Sequence, residues 1–293
     1  MKIYANLHTH SNHSDGPYSP RKLAEVAKAE GYGALAITDH DTASAYPELK
    51  AACEELSLEC IFGVEFSVMQ PKDYHIVGFN FDPEYPEMKE YLSNMAKRQT
   101  DNTKCCFNEA VEKGDISGIT WEEVTEFNKD IPWLCNNHVF EAMLAKGLVE
   151  RKNYMAWFNK NFLHQRGKYP PSYDFLPLDK LVDLIKRAGG IAVLAHPHCQ
   201  LDDIDELINL GISGIEVHHP DITPEEQARA YEIAIEKNLF ISGGSDHSGL
   251  CGGYYNSYPT KEALMASEHY IKEMSAGTSK EYFDEIRNMK LKR

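Results

Sequence analysis

Short runs of apolar, β-branched residues alternate along this chain with segments whose apolar positions recur at helical spacing. Residues 2–7 form the first apolar run. Ser19 followed by Pro20 then opens a helix, RKLAEVAKAEG, that stops at Gly31. Strands are predicted at 34–38, 58–66 and 74–81, with a helix through 43–56. The pattern resumes with a helix across 178–188, a strand at 190–196 and a helix near 202–210. A strand at 211–219, a helix from Thr223 and a strand at 239–246 complete it. Strands separated by helices of about 10–15 residues imply repeated βα units around a parallel sheet. Seven of them in a chain of 293 residues favour an α/β fold closed as a seven-stranded barrel over an open doubly wound sheet.

The rhythm breaks over residues 96–167. This stretch is charged, contains Trp121, Trp133 and Trp157, and reads as consecutive short helices. Within it TWEEV has the form of a capping box, with Thr120 as N-cap and Glu123 three residues on. The expected organisation is a barrel built from residues 1–95 and 168–293, with 96–167 as a helical insertion that caps the substrate. There is no internal repeat and no low-complexity tract.

Composition narrows the class. Acidic residues outnumber basic ones 45 to 30, a formal charge of −15, which argues against sequence-independent binding to duplex nucleic acid or to an anionic membrane. A small anionic substrate stays open, because divalent metals would reverse the field locally. No signal-peptide core and no run of membrane-spanning length is present. Seven cysteines without a CxxC fit a reduced, cytoplasmic protein. Cys199 and Cys251 are read as packing residues.

The chemistry gathers at the carboxyl ends of the predicted strands. His8 and His10 follow the first strand, and His40 follows the second. Glu65 ends the third and His75 sits at the fourth. His196 and His198 follow the fifth, His218 and His219 the sixth, and Asp246 and His247 the seventh. Active sites of such barrels are assembled at that face. Burying so many ionisable groups without a metal would be costly. Nitrogen and carboxylate ligands without thiolates suit Mn, Zn or Fe(II). About nine ligands exceed what one ion takes, so two or three divalent ions are expected. Paired ions suit an enzyme that makes a hydroxide and clamps phosphoryl oxygens.

These motifs resemble the polymerase and histidinol phosphatase (PHP) family over most of the chain outside the insertion. HTHSNHSDG, ITDHDT and GVEFS match its first three motifs, and LAHP and GGSD the later ones. The layout is most similar to the trinuclear branch, a distorted seven-stranded (β/α) barrel with a helical insertion. The resemblance implies a metal-dependent phosphoesterase in which His8, His10, Glu65 and Asp246 hold one ion. Glu65 would bridge to a second, bound by His75 and His196. Asp15, His40 and a histidine from the last motif would hold a third. Hydroxide bridging the ions would attack a small phosphorylated metabolite, a nucleotide or a short oligonucleotide.

Two departures stand out. His247 follows Asp246 directly where the family has Asp-x-His, so it can join only if the chain has already turned there; His219 or water could substitute. Asn136, Asn137 and His138 stand where the family often has Arg-Pro-His, and a guanidinium fork for phosphate is missing there. His138 and Lys168 remain candidates for substrate contact, and His198 or His219 for protonating the leaving alkoxide.

The other residues read more plainly. His13, His164 and His269 are expected at the surface, and Asp39 or Asp41 is expected to orient His40. A barrel metallohydrolase acting on a C–N or C–O bond is the rival enzyme. Such barrels often use a carboxylated lysine, and no Lys sits at a strand end here. A non-catalytic PHP module is the rival outside enzymes. The oligomeric state is left open.

Overall fold

A computed structural model describes residues 2–16, 18–69, 73–163, 173–246 and 276–291. The described chain is α/β, with eight strands in two sheets. The first sheet is parallel and holds β1 (Ala5–Asn6), β2 (Ala34–Leu35) and β3 (Glu59–Cys60) in that order. The second has the order β4 (Gly63–Val68), β5 (Tyr74–Phe79), β6 (Ile191–Leu194), β7 (Gly214–His218) and β8 (Phe240–Gly243).

The predicted strand at 58–66 is therefore two strands. Its apolar run crosses from one sheet to the other at Ile61 and Phe62. The all-parallel expectation also fails at β5, which pairs antiparallel with both β4 and β6. Only residues 69–73 separate β4 from β5, and a parallel crossover needs a dozen or more. This reversal matters for the site. It sets His75, near the start of β5, opposite Ser67 near the end of β4.

Separate backbone contacts stitch the two sheets along both seams. On one side Glu65 N–H donates to Thr38 O (3.1 Å) and Asp41 N–H donates to Glu65 O (2.9 Å). On the other, Leu7 N–H donates to Gly243 O (3.1 Å), and Ser245 and Asp246 N–H groups both reach His8 O (3.1 and 2.9 Å). A Cβ at Gly244 would lie 2.3 Å from the His8 backbone nitrogen, so glycine is what lets the chain end of β8 approach β1 so closely.

The helices are α1 (Pro20–Ala29), α2 (Tyr46–Leu56), α3 (Pro86–Glu112), α4 (Trp121–Phe127), α5 (Asn136–Ala145) and α6 (Tyr154–Asn161). They continue as α7 (Leu178–Arg187), α8 (Ile204–Leu210), α9 (Pro224–Glu236) and α10 (Lys280–Asn288). Ser19 caps α1 by accepting from Lys22 N–H, and Gly31, at φ +87°, ends its turn. Thr120 and Glu123 form the expected reciprocal capping box of α4. None of the described helices is long and apolar enough to cross a membrane.

Helices α3 to α7 lie between β5 and β6, and the described residues there contain no strand. Their aromatic side chains, among them Phe107, Trp121, Phe140, Tyr154 and Trp157, share one buried cluster with Leu23, Leu35 and Leu49 of the first sheet and its helices. A second cluster lies between the outer face of the larger sheet and α3, α7, α8 and α9. A third takes Ala5, Leu7 and Ala34 from one sheet and Val77, Phe79, Val193 and Phe240 from the other, closed by Phe283 and Ile286 of α10. Phe283 is fully buried, so Phe283→Ala is expected to cost about 3–5 kcal/mol in denaturant unfolding. A loss below about 0.5 kcal/mol, typical of a surface change, would contradict that account of α10.

Candidate metal centre

At the mouth of these strands one carboxylate meets five imidazoles. Glu65, fully buried in β4, has Oε1 2.9 Å from His75 Nδ1, 3.0 Å from His196 Nε2 and 3.4 Å from His8 Nε2. Its Oε2 lies 3.1 Å from His40 Nδ1 and 3.3 Å from His10 Nε2. Asp246 joins from the opposite seam, with Oδ1 2.9 Å from His10 Nε2 and 3.7 Å from His8 Nε2. Asp15 is the outermost carboxylate, 3.6 Å from His10 Nδ1 and 3.9 Å from His40 Nε2.

Among the described residues, possible ligand atoms converge in four sets: His8, His10, Glu65 and Asp246; Glu65, His75 and His196; His10, Asp15 and His40; and His8, Glu216 and His219. The first three bring together residues singled out from the sequence; His247 lies outside the described residues, and Glu216 in the fourth was not among them. A neutral imidazole has one lone pair to give. His10 can thus serve the first set or the third, and shared service would need an imidazolate. Several buried atoms support occupancy by cations. His8 Nε2, His10 Nε2, His40 Nδ1 and Glu65 Oε2 are buried and make no well-aligned hydrogen bond, despite their short approaches. Such orphaned groups are costly unless something else satisfies them.

Burial opposes charge throughout the cluster, yet the pairings outweigh it at most positions. Burial would push Glu65 up, but His8, His75 and His40 hold it well below the usual carboxylate range. Asp246 is likewise held low, against its burial, by His8, His10 and His219. Burial pulls His8 and His10 down, and the surrounding carboxylates lift both well above the ordinary imidazole value. His75 rises to about 9, since Glu65 overcomes its burial. His40 goes the other way, its burial prevailing over Glu65. Cations entering the cluster would displace those protons, since only neutral imidazole ligates.

A carboxylate that the sequence reading passed over fixes this arrangement. Glu216, in the middle of β7 and 1% exposed, places Oε1 and Oε2 3.2 and 3.1 Å from His8 Nδ1. Its Oε2 also accepts from His196 N–H at 2.9 Å. With Nδ1–H committed to Glu216, the lone pair of His8 is on Nε2, which faces Glu65 and Asp246. The only sequence signal was a Glu inside the apolar run GIEV, next to a more conspicuous histidine pair.

Other expected residues take different places. Asp39 does not orient His40: its carboxylate accepts from Ser11 N–H, Ser11 Oγ–H and Ser14 Oγ–H, each at 2.6 Å. Asp41 accepts from Ser67 N–H at 3.1 Å. Among the described hydrogen bonds neither reaches His40. His138 is buried with both ring nitrogens engaged. Nδ1 accepts from Cys135 N–H and Nε2 donates to Asn12 O, each at 2.9 Å, which removes it from substrate contact.

His198 is 45% exposed and pairs with Glu226 at 3.2 Å, away from the cluster. His219 is buried, with Nε2 3.5 Å from Asp246 Oδ2. His13 makes a 2.8 Å contact with Ser44 Oγ. Lys168, His247, His164, His269 and Cys251 lie outside the described residues. Asp246 itself has φ +48°, so the chain has already left its extended course there.

Glu216→Gln keeps the shape of the side chain and removes its charge. Metal affinity is expected to fall about 10–100-fold in calorimetric titration while the circular dichroism spectrum is unchanged. Wild-type affinity in this variant would show that Glu216 does not orient His8.

Comparison with known proteins agrees with the geometry. The profile of the PHP domain matches residues 6–169. Phosphoribosyl 1,2-cyclic phosphate 1,2-diphosphodiesterase of Eggerthella lenta is 28% identical over 256 residues, covering 84% of this chain and 95% of its own length. The 5'-3' exoribonuclease Rnm of Salmonella typhimurium is 32% identical over 268 residues, covering 85% and 86%. A crystal structure from Bifidobacterium adolescentis, provisionally assigned as a metal-dependent phosphoesterase, superposes with a TM-score of 0.71 at 25% identity. It spans 94% of this chain and 96% of that one. With its profile match over more than half its length, and with His, Asp and Glu side chains gathered at its strand ends, the chain belongs to the PHP domain family.

Proposed function

We propose that this PHP-family phosphoesterase hydrolyses the phosphate ester of a small metabolite, a nucleotide or a short oligonucleotide, using two or three divalent ions of Mn, Zn or Fe. The observation that carries the reading is the buried Glu65 carboxylate with five imidazoles at 2.9–3.4 Å. Its two oxygens face different histidines, as a bridging carboxylate requires. His8, His10 and Asp246 would complete one site, and His75 and His196 a second. Asp15 and His40 would form a third, with His10 or His247. The two stitched sheets are read here as one distorted barrel whose carboxyl face gathers these ligands, and residues 96–167 as its insertion. When bound, ions in such a site make water nucleophilic near neutral pH and neutralise non-bridging phosphoryl oxygens.

The chain's own groups supply the rest. His219 Nδ1 accepts from Asp221 N–H at 3.1 Å, so in the neutral ring the proton is on Nε2, beside Asp246. That tautomer lets His219, rather than the exposed His198, donate a hydrogen bond to the leaving oxygen. It also disfavours His8, Glu216 and His219 as an ion site of their own, although their ligand atoms cluster. The surface charge of −15 disfavours duplex nucleic acid as substrate. Among the described residues no two cysteines are joined by a disulfide, in keeping with a reducing compartment such as the cytoplasm.

Mn-loaded protein is expected to release inorganic phosphate from one class in a panel of sugar phosphates, nucleoside mono- and bisphosphates, and cyclic phosphates coupled to a monoesterase. His10→Ala and Glu65→Ala should lower that release by about 100-fold or more and reduce bound metal while the fold persists. Full activity with unchanged metal content in either variant would overturn the assignment.

A further inference from the structure

We propose that the helical segment between β5 and β6 is a working part of the outermost metal site, and that Asn137 is the residue that positions Asp15 there. The inference rests on the reading above that Asp15 and His40 hold an ion. Asp15 belongs to the loop between β1 and α1, and its side chain is 21% exposed, unlike the fully buried Glu65. A carboxylate at that edge needs its backbone fixed if it is to point inward.

The start of α5 does this with three side chains from nearly consecutive positions. Asn137 Nδ2 donates to Asp15 O at 2.6 Å. Cys135 Sγ donates to Ser14 O at 3.5 Å, and His138 Nε2 donates to Asn12 O at 2.9 Å. Asp39 grips the same loop from the barrel side through Ser11 and Ser14. The loop turns tightly between these two holds. A Cβ on Gly16 would sit 2.1 Å from His10 O.

The Asn137 amide has one orientation available. Its Oδ1 accepts from the Tyr154 hydroxyl and from Asn136 Nδ2 (2.8 Å), so its NH2 must face Asp15. Asn136 Nδ2 also donates to the Tyr154 oxygen at 2.8 Å. Tyr154 is fully buried and packs edge-on against Phe140, 5.0 Å between centroids, inside the aromatic cluster of the helical segment. A rigid path therefore runs from that core through Tyr154 and Asn137 to the Asp15 backbone. The same segment reaches the second ligand too: the Trp133 ring stacks on His40 at 6.3 Å. Asn136 and Asn137, which depart from the family's Arg-Pro, are the residues that make these bonds.

Asn137→Asp keeps the side-chain shape and both acceptor contacts, and places an acceptor where the Asp15 carbonyl needs a donor. The test is ion-by-ion titration with Mn2+ alone, followed by calorimetry and by metal analysis after gel filtration, in the full chain. Wild type is expected to show a weakest ion that Asn137→Asp loosens about 10–100-fold, with the tighter ions unchanged. Tyr154→Phe removes the hydroxyl that holds Asn137 Oδ1 and is expected to loosen the same ion by a smaller factor. A general loss of folding would instead weaken every ion together and lower the melting temperature in proportion.

Three ions in wild type, with the weakest held equally well in both variants, would overturn the role of Asn137 and leave the phosphoesterase reading standing. Fewer than three ions in wild type would overturn the proposal as well, by removing the site on which Asn137 acts. Phosphate release by that protein would show that the hydrolase reading survives without it.

Discussion

The structure turns on keeping the Glu65 carboxylate charged in a place with no exposure to water. An isolated buried carboxylate would take up a proton rather than bear the desolvation cost. Here five imidazoles approach within 3.4 Å, and His8, His75, His40 and His10 hold it ionised against its burial. Those imidazoles come from three different strand ends and from the reversed start of β5, so the fold has to bring all of them to one point. A cluster this dense is poorly satisfied by its own hydrogen bonds, as the orphaned His8, His10, His40 and Glu65 atoms show. It is a cluster that could hold cations.

Regular sheet geometry could not achieve that convergence. The ladders end early and the seams are joined by single backbone bonds, which frees His8, His40 and Asp246 to leave the pleat. Asp41, His196 and Asp246 all have positive φ, at 49°, 26° and 48°, a region that residues with a Cβ seldom enter. Such conformations cost of order 1–3 kcal/mol each and persist only where the surroundings over-determine them. The bonds from Ser67 N–H to Asp41, from His196 N–H to Glu216, and from Asp246 N–H to His8 O are those surroundings.

Much of the clustering was legible in the sequence because the candidate ligands fall at strand ends, where His, Asp and Glu interrupt apolar runs. HTH, GVEFS and LAHP gave away their residues for that reason. Glu216 was not legible, since its role depends on facing His8 across 208 residues of sequence. The same holds for His138, whose partner Asn12 lies 126 positions away. Its place in the insertion makes it a candidate for substrate contact, and only the fold shows both nitrogens engaged. The reversal of β5 could have been read from the five residues between it and β4. The breaking of the third predicted strand could not, because LECIFGVEF is continuously apolar enough to pass for one.

The split of the Glu65 carboxylate, one oxygen toward His75 and His196 and the other toward His10 and His40, is the most direct statement the structure makes about chemistry. Electron paramagnetic resonance of the Mn-loaded protein tests it without reference to any substrate. The account predicts the signature of an exchange-coupled Mn pair, lost in Glu65→Gln. Signals from isolated Mn ions alone, unaltered by that substitution, would contradict a centre organised around Glu65.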